Sequence, residues 1–122
     1  MSAKRILFVD NRPEYSHQPV LRLQLEGYNV DEATGADEGF AKLREGGYDL
    51  LILDAQLPGT DGWKVLQDMR SDAGSAKTKV IVLMAGKGET GNLALVEVDG
   101  ELRRPFTMAE LISTVGSVLE KK

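Results

Sequence analysis

Two short apolar runs in this chain end in acid. Ile6-Leu7-Phe8-Val9 leads into Asp10-Asn11, and Leu50-Leu51-Ile52-Leu53 leads into Asp54. If the two runs are neighbouring strands about 5 Å apart, their terminal carboxylates converge on one spot. Converging carboxylates repel one another unless a cation lies between them. Magnesium, which wants about six oxygens and tolerates several waters, suits such a pocket. A carboxylate held against a divalent ion and a cationic side chain can attack a phosphoryl donor. The plain alternative is that each acid only caps the turn after its strand.

That chemistry requires the strands to lie side by side. Neither run alternates polar with apolar, and Val80-Ile81-Val82-Leu83-Met84 does not either. Strands of this kind are covered on both faces, as in a parallel sheet between layers of helices. A weaker strand is predicted from Asn29 to Ala33. Helical spacing joins Ala36, Phe40 and Leu43, and again Val65, Leu66 and Met69. The most regular helix carries Met108, Leu111, Ile112, Val115, Val118 and Leu119, with Thr107 and Glu110 as the T-x-x-E capping box that starts it. Strands alternating with helices imply right-handed crossovers and an open, doubly wound α/β sheet. In such a sheet the working site lies beyond the carboxyl ends of the strands, where Asp10 and Asp54 fall.

Two stretches fit less well. Pro19 would clash with the preceding turn of a helix that began soon after Asp10. The first helix is therefore expected to start late, with Ser16 as N-cap and Pro19 in the first turn. The lone histidine, His17, is expected to face solvent. The second stretch is Gly86 to Gly100, where Leu93-Ala94-Leu95-Val96-Glu97-Val98 reads almost as well as a strand and Asp99-Gly100 as a hairpin turn. A fourth helix there is expected to be short or irregular.

The 122 residues suit one domain, taken as 1–122, with 42% hydrophobic and 28% charged residues. No run reaches the length of a membrane span. The absence of cysteine excludes disulfides and thiolate metal sites and fits a cytoplasmic protein. A net charge of −4 argues against direct, broad attraction to nucleic acid.

The stretch Leu53-Asp54-Ala55-Gln56-Leu57-Pro58-Gly59-Thr60-Asp61-Gly62 closely resembles the D-x-x-[ML]-P-x-x-[DS]-G signature of response-regulator receiver domains from two-component signalling. Asp10 after the first strand and Arg104-Pro105-Phe106 before the last helix fit the same family, in the right order along the whole chain. The resemblance implies a flavodoxin-like receiver fold with five parallel strands in the order 2-1-3-4-5. It implies Asp54 as phosphoacceptor, and Asp10, Asn11, Asp54 and the backbone carbonyl of Gln56 as metal ligands. A cis bond is expected at Arg104-Pro105. The departures fall on the same site. Asn11 stands at the second acidic position, which implies weak magnesium binding. Met84 stands where the family uses Ser or Thr to hydrogen-bond the phosphoryl group, and a thioether donates nothing. Arg104 replaces the usual Lys, with a different bulk and fork geometry. Glu101 stands where the switching Tyr or Phe belongs.

These substitutions favour an atypical receiver, not an enzyme, that signals through protein–protein contacts with an output domain or a separate partner, with phosphorylation weakened or absent. The alternative is a conventional receiver phosphorylated at Asp54 by a histidine kinase with magnesium. An enzyme on a similar sheet is a third class. Phosphohydrolases of the haloacid dehalogenase type need D-x-D, but Arg12 and Gln56 hold the second places. A flavodoxin would need a Ser/Thr-rich phosphate loop after the first strand, and no Walker or dinucleotide fingerprint occurs at a strand-to-helix turn.

Overall fold

The unbroken apolar runs form the middle of a parallel sheet. The computed structural model describes residues 3–10, 12–54, 62–72, 77–84 and 98–120. Along the chain these form β1 (Arg5–Val9), α1 (Pro13–Leu25), β2 (Asn29–Ala33), α2 (Ala36–Arg44), β3 (Leu50–Asp54), α3 (Gly62–Ser71), β4 (Lys79–Met84), β5 (Gly100–Arg103) and α4 (Met108–Glu120). The strand order is β2-β1-β3-β4-β5, all parallel. Val9 lies opposite Leu53 in the register of β1 and β3, so Asp10 and Asp54 emerge side by side at the carboxyl edge.

Alternate residues of each central strand feed two separate cores. Leu7, Val9, Leu51, Leu53, Val80 and Val82 face α2 and α3, where they meet Leu43, Leu66 and Met69. Ile6, Phe8, Leu50, Ile52, Ile81 and Leu83 face α1 and α4, where they meet Val20, Leu23, Leu111, Val115 and Val118. All five residues of β3 are buried, including Asp54. Burying each such apolar side chain contributes about 1.5–3 kcal/mol, which holds the sheet beneath the site against its two helix layers. Gly39 lets α2 approach closely: a Cβ there would come within 3.0 Å of Val9. The predicted capping box starts α4, with the Glu110 N–H donating to Thr107 Oγ1 at 3.0 Å.

Two expectations are corrected. Helix α1 begins at Pro13, not after Ser16, and Pro19 lies inside it. Proline suits the first helical position because its missing N–H has no intrahelical partner there anyway. The disruption at Pro19 is offset by burial of the adjoining Val20 and Leu23. Ser16 lies inside α1, and its hydroxyl donates to Glu32 Oε1 on β2 at 3.3 Å. Asp99-Gly100 is likewise no hairpin turn. It opens the parallel strand β5, with the Asp99 carboxylate accepting from the Val80 N–H at 2.8 Å and the Asp99 N–H donating to the Val80 carbonyl at 2.9 Å. The segment 86–97 lies outside the described residues.

At the opposite end of the sheet from Asp54, one cluster ties β1, β2 and the approach to β3. The Tyr48 hydroxyl donates to Asp31 Oδ2 at 2.6 Å, and the Arg5 guanidinium stacks 4.4 Å from the Tyr48 ring while lying 3.3 Å from the same carboxylate. Burial, then the hydrogen bond to Asp31, pushes the Tyr48 phenol up to about 12. The hydrogen bond from Tyr48 holds Asp31 below its ordinary value. A raised phenol contributes stability that is whole below its ordinary value of 10.0 and is lost as pH climbs from there through about 12. Chemical denaturation measured from neutral to strongly alkaline pH should show that loss, and Tyr48→Phe should flatten it.

Candidate functional site

The site is built at the carboxyl ends of β1 and β3, next to the start of α1 and the connection from β5 to α4. Asp10 follows β1 directly, and its side chain is wholly buried, as is that of Asp54 at the end of β3. Two arginines meet them. Arg12 precedes the first turn of α1; its Nη2 donates to Asp54 Oδ2 at 3.1 Å and its Nε lies 3.8 Å from Asp10 Oδ1. Arg104 follows β5; its Nη2 donates to Asp10 Oδ2 at 3.1 Å and its Nη1 lies 3.7 Å from Asp54 Oδ1. The Arg12 backbone N–H also donates to Asp10 Oδ1, at 2.9 Å, a carboxylate bonding the chain two residues on.

Each of the four carboxylate oxygens therefore faces a nitrogen donor or a guanidinium, and the four charges sum to zero. At an effective dielectric of about 20, opposite unit charges 4 Å apart attract by roughly 4 kcal/mol before desolvation is counted. Desolvation is large here. Burial pushes the Asp10 carboxyl above its ordinary value; the Arg12 backbone hydrogen bond opposes this, the Asp54 charge adds to it, and the Arg104 and Arg12 guanidiniums oppose it. An acid raised in the folded state costs stability when ionised, so Asp10 favours folding less at neutral pH than below its folded pKa. The site holds charge at some expense to the fold.

The candidates named from sequence divide as follows. Asp10, Asp54 and Arg104 come together. Asn11 and Gln56 lie outside the described residues. Met84 is buried on the sheet face that packs against α2 and α3, among Val82, Leu53 and Leu66, and its carbonyl accepts the Arg104 N–H at 2.8 Å. Glu101 is exposed on the edge strand β5, opposite Val82, away from the carboxylates. The Arg104–Pro105 bond is cis. His17 is exposed on α1. Arg12 is the residue that sequence reasoning missed, having been read only as the break in a D-x-D pattern. One signal pointed to it: a cation at a helix N-terminus is unfavourable against the helix dipole unless acids lie within reach.

Magnesium would need oxygens of both carboxylates at about 2.0–2.1 Å. Those oxygens are engaged by Arg12 and Arg104, and among the described residues no group of three or more His, Cys, Asp or Glu is placed to hold a metal ion. The described residues as arranged do not fit the ion. Beside the site, an open groove of about 590 Å³ runs between α1 and the β5–α4 connection, lined by Glu14, Gln18, Pro19, Arg104, Pro105, Phe106 and Met108. Arg104 thus joins the carboxylates to the surface. Among the described residues, no helix is long and apolar enough to cross a membrane.

Comparison with known proteins gives one consistent answer. Residues 6–116 match the family described as the response regulator receiver domain. The transcriptional regulatory protein ResD of Bacillus subtilis is 32% identical over 120 residues, covering 96% of this chain and 48% of ResD. The chain spans about half the length of the curated relatives it matches. A CheY-like receiver domain protein from Methanospirillum hungatei superposes with a TM-score of 0.87 at 26% identity, covering 98% of this chain and 95% of that one. The receiver domain of the Pseudomonas aeruginosa sensor histidine kinase PA1611, solved with magnesium in its active-site cleft, has a TM-score of 0.91 at 22% identity, covering 98% of this chain and all of that one (100%). At that identity the likeness concerns the fold.

The pairing makes a measurable prediction. Arg104→Ala should destabilise the protein by about 1–3 kcal/mol in urea at neutral pH, less than for a fully buried pair because part of the arginine is solvated. Adding Asp10→Asn should recover much of that loss, as a double-mutant cycle would show; strictly additive losses would mean the two residues are not coupled.

Proposed function

The chain belongs to the response-regulator receiver family, and from that premise we propose that it is an atypical receiver, spanning residues 1–122, that passes its signal by protein contact with little or no help from phosphorylation at Asp54. The observation that carries this reading is the closure of the carboxylate pair by Arg12 and Arg104. Asp54 is the family's acceptor position, but its oxygens face guanidiniums, and Met84 supplies no hydroxyl to hold a transferred phosphoryl group. Attack by Asp54 on a phosphoryl donor would require Arg12 to release it. We read the chain as a signalling module and not an enzyme, in keeping with its receiver family.

The surface that would transmit the signal is the groove between α1 and the β5–α4 connection, because Arg104 lies in its wall and also holds Asp10. A change at the carboxylates reaches that surface through the Arg104 side chain. ResD, about twice the length of this chain, is a transcriptional regulator, so we assign any nucleic-acid contact to an output domain or partner and not to this net-negative module. A histidine kinase is the upstream partner only in the conventional alternative, with Asp54 as acceptor and magnesium bound weakly.

Amide NMR spectra decide between the two. They should be recorded for the protein alone, with Mg²⁺, and with Mg²⁺ plus beryllofluoride, an aspartyl-phosphate mimic, with Asp54→Asn alongside. The atypical reading predicts little change around Asp10, Asp54 and Arg104. Large shifts there that vanish in Asp54→Asn would establish the conventional receiver.

A further inference from the structure

A pair of adjacent buried carboxylates needs positive charge, and here the chain supplies it from a residue two positions after Asp10. We infer that Arg12 is a tethered cation standing in the place of a divalent ion between Asp10 and Asp54, and that Arg12, more than the missing acid at Asn11, keeps divalent metal out of this pocket. The inference deepens the reading of the site as a receiver pocket and rests on it.

The geometry carries it. The Arg12 guanidinium spans the two acids, 3.1 Å from Asp54 Oδ2 and 3.8 Å from Asp10 Oδ1. Its backbone is anchored to one of them by the 2.9 Å hydrogen bond from its N–H to Asp10 Oδ1. The charge is therefore delivered at high effective concentration, with little chain entropy left to lose. Its side chain is two-thirds covered, at 33% exposure, although it sits at the N-terminus of α1, where the helix dipole disfavours a cation. The two carboxylates compensate for that placement. Arg104 engages the remaining Asp10 oxygen from the other side. A divalent ion that needs both acids can bind only the fraction of molecules in which Arg12 has swung away, and its apparent affinity falls by that fraction.

An Asn11 that merely lacks charge would weaken a metal site but leave the space open. A guanidinium between the acids fills it. The two causes separate experimentally. Mg²⁺ binding to the full chain, by calorimetry and by the shift of the thermal midpoint, should be compared for the natural protein, Arg12→Ala, Arg12→Gln and Asn11→Asp. The natural protein and Asn11→Asp are expected to show no midpoint shift in millimolar Mg²⁺. Arg12→Ala is expected to lose stability in chelator and regain it with Mg²⁺, binding at least about tenfold tighter than the natural protein once one repelling unit charge is gone. Arg12→Gln, which keeps most of the stem, carries the same expectation if the alanine variant folds poorly. Equal Mg²⁺ affinity in the natural protein and the Arg12 variants would overturn the inference. So would recovery of binding in Asn11→Asp with Arg12 intact, or no response to Mg²⁺ in either Arg12 variant. Equal Mg²⁺ affinity across the variants with no beryllofluoride response in the natural protein would overturn this inference and leave the proposed function standing. A beryllofluoride response in the natural protein, which requires Mg²⁺, would overturn both.

Discussion

Two carboxylates and two guanidiniums share the space above the carboxyl ends of β1 and β3, and the behaviour of the site follows from how they pair. Asp10 and Asp54 arrive together because Val9 and Leu53 are partners in adjacent parallel strands. Neither carboxylate reaches solvent. Two such charges are tolerable only with matched cations, and Arg12 and Arg104 provide them from opposite sides. Burial nevertheless pushes the Asp10 carboxyl up, so pairing offsets the desolvation only in part. The fold keeps charges here that a purely structural core would have replaced with apolar groups.

The rest of the molecule serves to hold those four groups in register. Both faces of β1, β3 and β4 are filled with aliphatic side chains, which leaves the central strands little freedom to slide. Helix α1 begins at Pro13, directly after Arg12, and so fixes where that side chain starts. Strand β5 ends at Arg103, and the Arg104 N–H bonds the Met84 carbonyl, which fixes the second guanidinium against the end of β4. The Tyr48–Asp31–Arg5 cluster closes the far end of the sheet, so the two ends are secured by separate polar contacts.

Much of this was legible in the residues. Unbroken apolar runs identified the central strands because a sheet covered on both faces tolerates no polar alternation, and strand-terminal acids identified Asp10 and Asp54. The strand order came from the resemblance carried by the Asp54 stretch and Arg104-Pro105, not from periodicity. The late start expected for α1 rests on Pro19 alone and leaves out Pro13, which at a first helical position costs nothing. Strand β5 was obscured because its four residues, Gly100 to Arg103, bury only Leu102. Arg12 escaped notice for a different reason. Its role depends on a contact with Asp54, 42 positions away, and the one local signal, a cation at a helix N-terminus, is readable only once α1 starts at Pro13. Arg104 stands where the family has Lys, and the structure places it against both acids.

The most direct measurement is of the arginine side chains themselves. Guanidinium ¹⁵N–¹H spectra at neutral pH should show Arg12 and Arg104 as two sets of resolved, slowly exchanging signals, each perturbed by Asp54→Asn and neither moved by millimolar Mg²⁺. Signals that coincide with those of the solvent-exposed arginines, or that shift as Mg²⁺ is added, would contradict the pairing and return the site to a conventional metal-assisted receiver.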